Sequence, residues 1–199
     1  AGFAVVSGND FRRNGEPYIN QLMTAVNGGP ASPQADGWVT YGLPVVAGLM
    51  YRDSVELDEI KHPMHFDSLR LMPATGGAGR FRGGPATEVV YGPREDPMTV
   101  VIPSDCQINP ARGVRGGLDG APAAQWKVSA NGDETKLPNV VQVELQPGEF
   151  VRGFEAGGGG YGSPFERPPE RVLKDVERRW ETVERARDIY GVVLSGSLE

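Results

Sequence analysis

Val141-Gln142-Val143-Glu144-Leu145-Gln146 alternates apolar and polar side chains without a break. A period of two places the three apolar residues on one face of a β-strand and wets the other. Working outward, further short runs rich in Val, Ile, Phe and Tyr lie near Tyr18 to Val26, Val55 to Ile60, Phe66 to Leu71, Thr87 to Tyr91, Thr99 to Ile102 and Phe150 to Phe154. The chain's 28 glycines and 17 prolines cluster between these runs, as expected for many short strands joined by tight turns. Gly2 to Val6 also reads as strand from the start.

The pattern changes at Pro168-Pro169-Glu170, which fits a helix start: proline is tolerated in the first turn and Glu170 complements the positive end of the dipole. Val172, Leu173, Val176, Trp180, Val183 and Ala186 then recur at spacings of three and four and mark one apolar face. Glu170 with Lys174, Asp175 with Arg179, and Glu181 with Arg185 are acid-to-base pairs at i,i+4, each worth about 0.2–0.5 kcal/mol on a solvated face. Gly191 ends the helical run, and Val192-Val193-Leu194 can return as a strand. The expected fold class is α+β. Residues 1–167 form a β-rich body of many short strands, and residues 168–194 form a C-terminal helical segment, a hairpin or one long helix, packed on it. Residues 195–199, Ser-Gly-Ser-Leu-Glu, read as an expression remnant.

Composition narrows the function. The 199 residues carry 39% hydrophobic and 23% charged residues, ordinary for a globular protein with a real core. A formal net charge of −6 and the lack of a Lys/Arg run argue against a nucleic-acid groove. No stretch has the length and apolarity of a membrane span, and no leader pattern is visible. A single cysteine, Cys106, excludes an internal disulfide and suits a reducing, cytoplasmic setting.

Chemistry-bearing motifs are few. His62 and His65, with Asp67 nearby, invite a metal reading, but Pro63 breaks a helix that would bring them together. On a strand their odd spacing sends them to opposite faces, so no metal site is expected in this chain. Neither glycine cluster, Gly76 to Gly84 or Gly157 to Gly162, matches a phosphate loop or a dinucleotide fingerprint. Four successive glycines still cost backbone entropy on ordering, which implies either tight turns buried against a neighbour or a loop facing substrate. On the second reading Gly159, Gly160 and Tyr161 are candidate substrate-binding residues, the tyrosine ring suiting a flat amide or aromatic ketone. Arg80 and Arg82 flank glycine amides and alternate about Phe81. They form either an anion site or salt bridges at a surface or interface. No catalytic residue emerges, because Ser-His-Asp order, a nucleophile elbow and HExxH are all missing.

At these clusters the sequence resembles the hydantoinase B/oxoprolinase family. Gly76-Gly77-Ala78-Gly79-Arg80-Phe81-Arg82-Gly83-Gly84 is similar to its GGAGRxRGG stretch. Gly157 to Pro164 with Glu166-Arg167 is similar to its GGGGYGDPLERDPE segment, with Ser163 and Pro168 where the family usually has Asp. Val172-Leu173-Lys174-Asp175-Val176 and Ala186 to Leu194 resemble its VLxDV and ARxxYGVVL endings. Ala35-Asp36-Gly37-Trp38, Arg115-Gly116-Gly117 and Leu145 to Glu149 are weaker echoes in the right order.

The resemblance implies the C-terminal portion of a B-like subunit in an ATP-dependent complex of the N-methylhydantoinase, 5-oxoprolinase, caprolactamase or acetone/acetophenone carboxylase type. It implies as partners a hydantoinase A-like ATPase subunit, the N-terminal portion of the B-like subunit if that is a separate chain, and a small-molecule substrate. ATP and a divalent metal are expected in those partner chains, and no cofactor on this one. Family members are usually more than twice this length, with the metal ligands in the N-terminal portion. The stretch from Gly42 to Leu69, including Leu49-Met50-Tyr51-Arg52 and His62-Pro63, departs from the family's more acidic one. Activity is thus assigned to the complex, an ATP-dependent amidohydrolase or carboxylase, with this chain shaping a shared site or channel. The alternative is a structural subunit that only stabilises the assembly.

Overall fold

The computed structural model describes residues 2–41 and 52–195. Ala1, residues 42–51 of the divergent stretch and the last four residues of the expected remnant lie outside the described residues. Two antiparallel sheets dominate, with short helices towards the C-terminus, which makes the class α+β. β1 (Phe3–Asp10), β2 (Glu16–Met23), β5 (Met98–Pro103) and β8 (Val140–Leu145) form one sheet in the order β2-β1-β5-β8. β3 (Met64–Leu71), β4 (Thr87–Pro93), β9 (Phe150–Phe154), β6 (Ala124–Val128) and β7 (Glu134–Lys136) form the other, in the order β3-β4-β9-β6-β7.

One core joins them. Ala4, Val6, Leu22, Met98, Val100, Ile102 and Leu145 from the first sheet meet Met64, Val89, Tyr91 and Val151 from the second. Burying each of the larger side chains is worth about 1.5–3 kcal/mol. The alternation read in β8 holds: Leu145 is fully buried and Val141 and Val143 pack partly against the core, while Gln142 and Glu144 face solvent. The register is set by this alternation, with Val100 opposite Val143 and Met98 opposite Leu145.

Two local expectations change, and one of two alternatives is decided. Val55 to Ile60 is not a strand but the start of α1 (Val55–Lys61). Its apolar residues alternate briefly, but Ser54 caps the first turn, its Oγ accepting from the Leu57 amide at 3.3 Å. Glu56 and Asp58 in that turn also favour a helix. Of the hairpin and the single long helix expected for the C-terminal segment, the long helix is excluded: the segment is two short helices, α2 (Pro169–Glu177) and α3 (Val183–Asp188). Arg179 takes a left-handed φ of 58° between them, and Thr182 caps α3 through the Arg185 amide at 3.2 Å. Val192 to Leu194 join no ladder; Val192 and Leu194 instead pack against the small cluster of Ala78, Val172, Val176, Ala186 and Tyr190.

Asp58 carries a testable consequence. Burial and the nearby Asp53 charge push its carboxyl up to about 6, against the hydrogen bond from Asn20 at 3.2 Å. The folded state then holds a proton that the unfolded chain has lost, so stability falls as pH rises from about 4 to about 6 and stays lower above that. Urea midpoints across this window should show the fall, and Asp58→Asn should weaken it, leaving the smaller part that the raised Glu181 carboxyl contributes. A parent protein with a flat or rising profile there contradicts the assignment.

Candidate functional site

The glycine-rich segments converge. Residues 157–160 run through the middle of the others as an extended chain that is buried throughout. None of the four has a positive φ; their small size matters because other backbone closes in from every side. A Cβ on Gly157 would lie 2.0 Å from the Thr75 carbonyl oxygen, one on Gly158 1.9 Å from that of Gly29, and one on Gly159 2.2 Å from that of Arg112. At Gly160 the direction returns to the first neighbour, 2.2 Å from the Ala78 oxygen. The stretch lies in no helix or strand, so its backbone groups must find hydrogen-bond partners in other segments.

It finds them in the surrounding segments. The Gly77 amide donates to Gly158 O at 2.8 Å, Gly158 N to Gly84 O at 2.9 Å, and Gly84 N to Gly29 O at 2.8 Å. Ala31 N donates to Gly159 O and Val114 N to Gly160 O, each at 2.9 Å. Tyr161 leaves this weave half-buried, exchanging both backbone hydrogen bonds with Phe81, and the Arg115 guanidinium lies 6.0 Å from its ring centre. Gly159 and Gly160 are therefore inside the weave, while the Tyr161 side chain sits at its edge.

Two cavities flank the weave. A cleft of about 400 Å³ is lined by Pro30, Ala31, Ser32, Asp36, Trp38 and Tyr41. Trp38 is 60% exposed, and its ring centroid is 6.3 Å from that of Tyr41. Gly159 stands one hydrogen bond behind this cleft, through Ala31. A second cavity of about 180 Å³ includes Asp36, Arg82, Arg167 and Asp175.

Those four residues form an ion-pair network. Arg167 grips Asp36 with two hydrogen bonds of 2.7 and 2.9 Å, reaches Asp175 at 2.6 Å and donates to the Arg80 carbonyl at 3.1 Å. Arg82 pairs with Asp175 at 3.1 Å and lies 4.6 Å from the centre of the Trp180 ring. The Arg82 amide donates to Asp36 at 2.9 Å. Burial raises the cost of ionising Asp36, but the Arg167 hydrogen bonds and the Arg167 and Arg82 charges outweigh it and hold the carboxyl below its usual range. Burial likewise works against the Arg167 charge, and Asp36 and Asp175 reverse that.

Arg80 and Arg82 thus part company: Arg82 is buried in the network and Arg80 is exposed beside Phe81. The reading of the C-terminal acids as a solvated face is corrected here. Asp175 and Glu181 are both 4% exposed: Asp175 lies on the buried side of α2 with Val172 and Val176, and Glu181 follows the break after α2. Glu181 keeps its expected partner Arg185 at 3.2 Å and accepts from the Tyr190 hydroxyl at 3.3 Å, while burial pushes its carboxyl up. Sequence reading passed over Asp36, Arg167 and Asp175 as a set. The available signal was that each is a charged residue inside a glycine-rich or apolar motif. His62 stacks near Tyr18 and His65 meets Phe150 edge-on, their centroids 5.5 and 5.3 Å away. Among the described residues, no group of three or more His, Cys, Asp or Glu side chains is placed to hold a metal ion, and no helix is long and apolar enough to cross a membrane.

Comparison with known proteins agrees with this architecture. Residues 2–164 match the family described as hydantoinase B/oxoprolinase. The beta subunit of caprolactamase from Pseudomonas jessenii is 32% identical over 197 residues, covering 96% of this chain but 34% of its own length. A putative D-/L-hydantoinase B-type subunit from Pseudomonas sp. strain NS671 is 42% identical over 65 residues, 33% of this chain and 10% of that one. In solved structures, the ATP-dependent caprolactamase from Pseudomonas jessenii superposes on all of this chain and 36% of its own, with a TM-score of 0.78 and 29% identity. Acetone carboxylase in its nucleotide-free form shares the fold, with a TM-score of 0.75 at 18% identity over 98% of this chain and 30% of that one. The chain spans about a third of the length of the caprolactamase polypeptide it matches, and it belongs to the hydantoinase B/oxoprolinase family.

Proposed function

We propose that this chain is part of the B-like subunit of an ATP-dependent multisubunit enzyme that opens a lactam or other cyclic amide. The observation that carries the reading is the 32% identity with the caprolactamase beta subunit across nearly the whole chain. Ketone carboxylation is the alternative reaction, with 18% identity behind it. In this reading a hydantoinase A-like partner transfers the γ-phosphoryl group of ATP to the amide oxygen. Water then adds to the carbonyl carbon, the ring C–N bond breaks with the nitrogen leaving as a protonated amine to give an acyl phosphate, and a second water releases phosphate and leaves the carboxylate. An amide oxygen is a poor leaving group and phosphate a good one, which is the chemical reason for spending ATP. A divalent metal is assigned to the N-terminal portion or to the partner.

The chain's share is the wall of the site. The Trp38–Tyr41 cleft offers aromatic surface to a flat amide, and the weave behind it, including Gly159 and Gly160, holds that wall rigid. Tyr161 serves a second surface at the other edge of the weave. A purely structural role is the competing reading, favoured by the burial of Gly157 to Gly160.

Trp38→Ala and Tyr161→Phe in the reconstituted complex separate the two. Lactam opening, ATP hydrolysis and particle mass by light scattering should be measured together. We expect Trp38→Ala to lower turnover at least roughly tenfold with assembly intact, because an exposed ring is removed without touching the core. Loss of assembly instead supports the structural role, and parental turnover with parental assembly removes the cleft from the site.

A further inference from the structure

The cavity of about 180 Å³ beside the ion-pair network carries more positive charge than the network uses. Its floor is Arg82 and Arg167, 4% and 3% exposed, with their carboxylate partners Asp36 and Asp175. Its wall is one face of α2 and its cap, where Arg171, Lys174 and Arg178 recur at spacings of three and four. Five cations therefore meet two carboxylates, and both carboxylates are already engaged by the floor arginines.

The wall cations are left without a carboxylate among the described residues. Arg171 lies 5.8 Å from the Phe81 ring centre and Arg178 5.0 Å from that of Trp180. Rings of this kind hold a guanidinium in place without neutralising it. A second observation points the same way. The Nε–H of Arg167 is buried in this lining and has no hydrogen-bond acceptor among the described residues. A buried donor left without an acceptor is costly, more so on a charged group. The site is thus pre-formed, cationic and short of acceptors.

We propose that this cavity binds a tetrahedral oxyanion, either free inorganic phosphate or the phosphate of a small monoester. A single carboxylate would balance only one of the three spare charges, whereas a phosphate dianion can accept from several forks at once. The volume suits a group of a few heavy atoms rather than a nucleotide. Arg82 belongs to this site; Arg80 contributes only its carbonyl, to Arg167. The proposal stands apart from the lactam-opening reading, since it rests on charge and cavity alone.

Hydrogen–deuterium exchange on the full protein reads the site locally, through peptides spanning residues 165–182. Inorganic phosphate, glycerol phosphate and chloride should be titrated at constant ionic strength, so that simple screening is cancelled. We expect saturable protection with phosphate or its ester and none with chloride. Whichever of the two saturates at the lower concentration identifies the source of the oxyanion. The triple variant Arg171→Gln, Lys174→Gln, Arg178→Gln changes only exposed side chains and should raise the half-saturating concentration by roughly tenfold or more. Arg187→Gln, which removes an exposed cation of α3, should leave it unchanged. The proposal is overturned if neither phosphate protects the peptides, as would follow if an acidic segment of the assembly already fills the cavity. It is equally overturned if the triple variant binds phosphate like the parent.

Discussion

Gly158→Ala should destabilise the protein by more than about 4 kcal/mol, which for a chain of this size lowers the melting temperature by roughly 8–16 °C. The new Cβ would lie 1.9 Å from the carbonyl oxygen of Gly29 and 3.0 Å from that of Gly28. Both are backbone atoms, so no flexible side-chain end can swing away. Gly29 cannot retreat either, because its carbonyl accepts from Gly84 N and its amide donates to Trp38 O, each at 2.8 Å. One methyl group therefore has to push apart at least three chain segments, and each shift breaks a buried backbone hydrogen bond. Gly132→Ala is the matched control. Gly132 has a φ of +90° but nothing within 4 Å of an added Cβ, so its substitution costs only the left-handed conformation, about 1–2 kcal/mol. Chemical denaturation of both variants measures the difference. Equal losses at the two positions would mean that conformational freedom, not close approach, explains the glycines.

The second large effect is at Arg167. Arg167→Met keeps much of the volume but strips two hydrogen bonds from Asp36, one from Asp175 and one from the Arg80 carbonyl. Breaking a buried ion pair by removing one partner typically costs about 3–5 kcal/mol, because the other charge stays behind unpaired. Asp175 retains Arg82, and the Asp36 side chain is 26% exposed, so water relieves part of the loss. Asp36→Asn in the same background should then recover some of it, by removing the orphaned charge. The pH dependence follows from Asp36. Its folded pKa lies below the unfolded value, so the stability it contributes is fully present above about pH 4 and is lost as pH falls through the folded value. Acid titration of unfolding should show this loss in the parent and a weakened one in Arg167→Met. A variant as stable as the parent at neutral pH, with the same acid limb, would show that the network contributes nothing to folding.

These two sites mark where local reading stops. The strands and the C-terminal helical segment were legible because their signal is local: a period of two in Val141 to Leu145, and spacings of three and four from Val172 onward. The α1 helix was misread for the same reason, since one turn of Val-Glu-Leu-Asp can satisfy either period until a cap such as Ser54 decides. The family was legible in the glycine and arginine motifs, and the chain's place in it follows from their order. The partners of those motifs were not legible. Asp36 and Arg167 meet across 131 positions, and Gly158 answers to Gly29, Gly77 and Gly84, so only the folded chain could say which glycines are packed against backbone and which charges are shared. Sequence alone determined which residues can make such contacts, because glycine leaves room for backbone and a guanidinium can bridge two carboxylates. Tertiary structure decided which contacts exist, because close approach and ion pairing depend on distance in space and carry no period along the chain.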